Sequence, residues 1–232
     1  MRLIDSFSNL YDRSAQLYIN SSINDCEVKE HGKLATFHRL YIHNDNATFY
    51  LCDTKLIKDH VDTTEKMSSS LKNSTCDGVL FVYGAHNIEH LVFAELKSTY
   101  SASKLQDAFE QLIYSLLKYH RLFSLCKGYD LRSLSLDFVL ACHAPHKTQE
   151  ADALLDEFVA QNAIEEKTNE LSFVVDILPK LQFSGTYTFK LNQLCKISSY
   201  PLIDELLKKD ITLHLVISVQ PEDDYAKMYL RY

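Results

Sequence analysis

The chain predicts an α/β or α+β domain: a mixed central β-sheet flanked by helices. Three observations predict it. Segments with apolar residues at helical spacing alternate along the chain with short runs rich in Val, Leu, Ile, Phe and Tyr, the pattern of helices packed on a sheet. Two of those runs flank a turn-forming stretch and read as an antiparallel hairpin. No Pro/Gly-rich linker and no internal repeat divides the 232 residues, so residues 1–232 read as a single domain, and 46% hydrophobic content is ample for one core.

Taken in order, residues 2–20 place Leu3, Ile4, Phe7, Leu10, Tyr11, Leu17 and Tyr18 near helical spacing and predict an opening helix. Residues 33–42 and 47–52 turn β-like and are joined by His43-Asn44-Asp45-Asn46, which predicts a first hairpin. Residues 55–71 predict a helix, although Thr63-Thr64 and Ser68-Ser69-Ser70 lower its propensity. The central hairpin follows, Gly78 to Tyr83 and Glu89 to Leu96 around Gly84-Ala85-His86-Asn87. After it Leu105, Ala108, Phe109, Leu112, Ile113, Leu116 and Leu117 mark a strongly amphipathic helix, with Ser103 and Gln106 spaced as a capping box. Further on, 134–142 reads as a buried strand, 149–162 as an acidic helix, 171–175 and 186–191 as strands, 201–208 as a short helix with Pro at its start, and 211–219 as a strand.

The central hairpin carries the chemistry. If its turn centres on His86, opposed residues have numbers summing to 172, so Val79 faces Phe93, Phe81 faces Leu91 and Asp77 faces Glu95. Directly opposed Cβ atoms lie about 4.5–5.5 Å apart. Side chains alternate along a strand, so Lys97 shares the face of Glu95 while Leu96 offers only its carbonyl there. Two like charges so close resist joint ionisation unless a cation lies between them. Mg²⁺ or Mn²⁺, which favour carboxylate, carbonyl and water oxygens, would relieve that conflict. Lys97 adds positive charge suited to a phosphodiester transition state.

Asp77, the short hairpin, Glu95-Leu96-Lys97 and the amphipathic helix resemble the active-site core of the PD-(D/E)XK nuclease superfamily, over roughly residues 75–125. The resemblance implies a restriction-endonuclease-like core in which Asp77, Glu95 and the Leu96 carbonyl bind Mg²⁺ or Mn²⁺ and Lys97 serves phosphodiester hydrolysis. It also implies that the following helix presents a Gln or Lys toward the site. Lys104, Gln111 and Lys118 recur every seven residues there, and Gln111 is the better candidate. Cys76 stands where the family pattern has Pro. Many members add a Glu from a helix before the Asp strand, for which Glu65 is the nearest candidate, with Glu27 and Glu30 behind it. Stand-alone or partner-bound nucleases of restriction and anti-phage defence are common among such proteins, which makes a defence effector the expected setting.

Composition bounds the rest. Six widely spaced cysteines with no C-x-x-C pair suggest neither a zinc ribbon nor a disulfide scaffold, and reduced thiols fit a cytoplasmic protein. The first residues lack a signal-peptide core and no stretch approaches the roughly 20 apolar residues of a membrane span. With five glycines there is no G-x-x-x-x-G-K loop, so ATP hydrolysis is not expected of this chain. Cys142-His143-Ala144-Pro145-His146 reads as a strand end and turn more readily than as a zinc site. The formal charge of −7 opposes unaided grip on a duplex, because phosphate binding relies on Lys and Arg, so a protein partner that delivers DNA is expected. The sequence therefore favours a metal-dependent nuclease acting on DNA. The rival readings are a non-catalytic interaction subunit on the same fold, with Glu95 and Lys97 merely an ion pair, and a nuclease directed at RNA.

Overall fold

The computed structural model describes residues 2–10, 19–52, 75–84, 89–99, 102–143, 156, 185–194 and 202–231. Within them the chain is mixed α/β, built around an eight-stranded sheet. The strands are β1 (Ile19–Lys29), β2 (Arg39–Cys52), β3 (Gly78–Tyr83), β4 (Glu89–Lys97), β5 (Ser135–Cys142), β6 (Gly185–Lys190), β7 (Asp210–Ile217) and β8 (Tyr225–Tyr229). The helices are α1 (Leu3–Leu10), α2 (Ala102–Phe123) and the single turn α3 (Asp204–Leu207). In space the order is β1-β2-β3-β4-β5-β7-β6, with β8 paired to β2. β4, β5 and β7 run parallel side by side, and the flanking pairings β3–β4 and β6–β7 are antiparallel.

Side-chain alternation along these strands creates two cores. On one face Val79, Phe81, Leu91, Phe93, Phe138 and Leu140 pack beneath α1 and α2. The predicted stripe of α2 is buried from Leu105 to Leu116, with Leu117 partly buried, and it continues through Tyr119 and Phe123. Phe7 of α1 meets Phe123 edge-on at 5.1 Å between centroids. On the other face Leu80, Val82, Val92, Ala94, Val139 and Val216 pack with Val28, Leu40, Ile42, Ala226 and Met228. Those last five come from a ribbon made of β1, the first half of β2, and β8. Each large apolar side chain so enclosed contributes about 1.5–3 kcal/mol of transfer free energy.

The central hairpin pairs as its arithmetic requires: Val79 opposite Phe93 and Phe81 opposite Leu91. Gly78 begins it because nothing larger fits, since a Cβ there would stand 2.7 Å from Val28 Cγ1. The parallel strand β5, the strand β6 and the strand β7 also fall where expected.

Elsewhere the structure departs from expectation. The opening helix ends at Leu10, and Ile19 and Asn20 already belong to β1 rather than to a helix over 2–20. β1 is polar and half-exposed, INSSINDCEVK, so no apolar period announces it. The predicted turn at 43–46 does not reverse the chain, and β2 passes through it as one 14-residue strand. β1 follows β2 along both halves through a register shift, in which Asn24, at a φ of 65° that Asn tolerates, faces the extra β2 residues 44–47. The turn-forming residues are occupied otherwise. His43 hydrogen-bonds Asp25 and Asp45, and Asn44 Nδ2 donates to the Leu230 carbonyl at 2.9 Å. On its other edge β2 pairs β8 through 39–43 and β3 through 48–52. β8 was not foreseen, although Tyr-Ala-Lys-Met-Tyr alternates buried and exposed residues. Ser103 lies within the first turn of α2 instead of capping it, and α3 begins at Asp204 behind Ile203. The expected helix at 55–71 and strand at 171–175 lie outside the described residues, as does the helix at 149–162 except for helical Asp156.

Candidate active site

Residues from three elements meet where β4 ends. Asp77 lies one residue before β3, whose pairing with β4 begins at Gly78 opposite Ala94; its carboxylate neighbours Glu95, and its Oδ2 accepts a hydrogen bond from the Leu96 amide at 2.7 Å. That bond fixes the carboxylate over the E-x-K turn of the strand. Glu95 points toward the helix-covered face and is 1% exposed. Lys97, two residues on and on the same face, donates through Nζ to Glu95 Oε1 and to Gln111 Oε1 of α2, the latter at 2.6 Å. Asp77, Glu95, Lys97 and Gln111 are thus one connected cluster, with the Leu96 backbone between them.

A third carboxylate completes it. Glu30, immediately after β1, stands beside Asp77 closely enough to share a hydrogen bond and to raise its proton affinity. Of the two upstream glutamates named from sequence that lie among the described residues, Glu30 is the one brought to the site. Glu27 instead pairs with Lys29 at 2.9 Å, and Glu65 lies outside the described residues. No local signal marks Glu30, because its approach depends on the β1–β2–β8 ribbon folding back over the sheet.

The electrostatics are strained. Burial, followed by the neighbouring Glu30 charge, pushes the Asp77 carboxyl up to about 7. Burial, then the Asp77 charge, drives Glu95 well above the usual carboxylate range, against the opposing pull of Lys97. Among the described residues the second oxygen of Glu95, Oε2, is buried without a hydrogen-bond partner. A buried acceptor left so costs about 1–3 kcal/mol. No group of three or more His, Cys, Asp or Glu side chains among the described residues is already spaced to enclose an ion. Carboxylate excess, an orphaned oxygen and a nearby carbonyl nevertheless match the donor preferences of a hard divalent cation.

The helix α2 holds the entrance to β3 in place. Ser115 Oγ accepts the Cys76 amide at 2.8 Å, and Lys118 Nζ donates to Thr75 Oγ1 at 3.3 Å. Gln111, Ser115 and Lys118 therefore form one working stripe. Lys118 is buried, 1% exposed, rather than on the solvated face of the helix. Lys104 is exposed and stands 3.8 Å from Asp107, away from this cluster. The loop from β1 to β2 crosses the far rim. Ser98 Oγ accepts the Thr36 amide at 2.8 Å and the Phe37 amide at 3.2 Å, while His143 Nε2 contacts Thr36 Oγ1 at 3.3 Å and its ring meets Phe37 edge-on. His143 thus serves loop packing. Cys142 is fully buried, and 144–146 lie outside the described residues.

No protein-family model matches the chain, and no curated protein or solved structure matches it either. The site therefore stands on its own geometry.

Proposed function

We propose that the chain is a metal-dependent nuclease of PD-(D/E)XK type that hydrolyses DNA phosphodiesters. The supporting observation is the neighbouring Asp77 and Glu95 carboxylates with Lys97 and Gln111 joined to them, and a Glu95 oxygen that is buried without a partner among the described residues. Asp77, Glu95 and the Leu96 carbonyl would hold Mg²⁺ or Mn²⁺, with Glu30 adding charge at the rim. When bound, such an ion polarises a phosphoryl oxygen and makes a water acidic enough to attack at neutral pH. Glu95 and Gln111 hold the Lys97 ammonium in place, so that it can meet negative charge as it develops on the phosphate. Gln111 orients that ammonium and offers its amide N–H₂ to water or phosphate. The helix contacts at Thr75 and Cys76 keep Asp77 in register. With −7 overall, the protein fits an effector whose access to DNA is governed by a partner, in keeping with a role in restriction or anti-phage defence.

The tight Lys97–Glu95 contact also suits a second reading, an interaction subunit in which this pair is only structural. Calorimetric titration with Mn²⁺ and cleavage of plasmid and linear DNA separate the two. The nuclease reading expects Mn²⁺ binding that Asp77→Ala abolishes, and cutting that both Asp77→Ala and Lys97→Ala lose. Cutting retained by both variants refutes the site, and no Mn²⁺ binding by the wild type favours the interaction subunit.

A further inference from the structure

The outer face of the β1–β2–β8 ribbon carries aromatic and charged side chains in alternation. Its inner face is apolar, and its outer face presents Arg39, Tyr41 and His43 from β2 directly beside Tyr225, Lys227 and Tyr229 from β8. The rings are arrayed together: Tyr41 meets Tyr225 edge-on at 5.9 Å, and His43 meets Tyr229 at 5.4 Å. Lys227 Nζ lies 5.6 Å from the Tyr225 centroid. Tyr229 is 65% exposed, so its ring is available to a ligand.

This face is connected to the candidate active site. An open cleft of about 590 Å³ runs from Asp77 past His31, Lys29 and Glu27 to Tyr41 and Asp25. A second, of about 490 Å³, shares Asp25 and Tyr41 and continues past His43, Tyr225, Lys227 and Tyr229. The two together form one path from the carboxylates to the aromatic face.

Charge decides which polymer fits. Arg39 is paired with Asp224 at 2.7 Å, Lys29 with Glu27 at 2.9 Å, and His43 stands between Asp25 at 2.7 Å and Asp45 at 2.9 Å. With most of its cations matched by acids, the face has little pull on the dense phosphates of a duplex. It does offer three π-surfaces, and stacking on aromatic side chains is how strands with unpaired bases are held with little sequence preference. A dry protein interface would want apolar side chains at its centre, whereas charges separate these rings.

We infer that the outer face of the ribbon is a track for single-stranded DNA, which stacks its bases on Tyr41, Tyr225 and Tyr229 and leads the strand along the cleft to Asp77. The destination rests on the nuclease reading, and the binding does not. The test is fluorescence anisotropy of a labelled oligothymidylate with the full chain in EDTA, where no cutting can occur. Tyr229→Ala is expected to weaken binding about tenfold, and Tyr229→Phe, which keeps the ring, to stay within about twofold of wild type. The dependence on salt should be shallow, with a log–log slope of about one to two. Wild-type affinity in Tyr229→Ala, or tighter binding of the matching duplex or of oligouridylate, overturns the track. The two readings fail separately: ring-dependent binding without any metal-dependent cutting leaves the track and removes the nuclease, whereas cutting with no effect of the tyrosine ring removes the track alone.

Discussion

Replacing Asp77 by Asn should stabilise the metal-free protein at alkaline pH. The folded state holds the Asp77 proton up to about pH 7, whereas the ordinary value is 3.8. A group whose proton is held more tightly when folded supports the fold below the ordinary value and loses that support as pH rises through the folded one. At about 1.4 kcal/mol per tenfold change in proton affinity, the gap between 3.8 and about 7 makes an ionised Asp77 cost about 4 kcal/mol at pH 8. Relaxation around the ionised group relieves part of that cost, so about 2–4 kcal/mol is expected. Asn keeps the oxygen that accepts the Leu96 amide and removes the charge. Urea denaturation in EDTA at pH 8 and pH 5 measures the effect, and the advantage of Asp77→Asn should fall to less than half its size at the lower pH. Mn²⁺ should narrow the difference at pH 8 by stabilising only the wild type. An advantage that is absent, or equal at both pH values, would refute the account of a strained carboxylate cluster.

Two further substitutions test the supports of the site. Lys97→Ala leaves Glu95 buried beside Asp77 without its cation and should cost about 3–5 kcal/mol in chemical denaturation, much of it recovered by adding Glu95→Gln; a loss below about 1 kcal/mol would show that the pair is not desolvated. Gly78→Ala drives a methyl into Val28 and should cost about 1–3 kcal/mol, and a double-mutant cycle with Val28→Ala should show strong coupling. Simple additivity there would contradict the close approach of ribbon and sheet.

What the sequence made legible was local. The hairpin register followed from turn symmetry, and with it the meeting of Asp77 and Glu95. The place of Gln111 followed from a helix that starts within a few residues of the strand it covers. The ribbon was illegible for a physical reason. β1 and the middle of β2 are half-exposed and polar, so burial imposes no clean alternation, and the Asn/Asp-rich residues 43–46 carry turn chemistry that is spent on side-chain bonds to Asp25 and Leu230. Glu30 inherits that obscurity, since its place beside Asp77 depends on a strand pairing that joins distant parts of the chain.

The divided edge of β2 also bears on the order of events during synthesis. Its second half can pair with β3 early, but its first half waits for β8, and the Asn44–Leu230 bond joins residues 186 apart. Closing so long a loop is entropically unfavourable and comes late in folding. While a ribosome is still adding residues, Leu40 and Ile42 lack the neighbours Ala226 and Met228, and the half of β2 that β1 pairs with on its way to Glu30 has only one edge secured. The acidic cluster is then assembled last, so a nascent chain would carry Asp77 and Glu95 before Glu30 is held beside them.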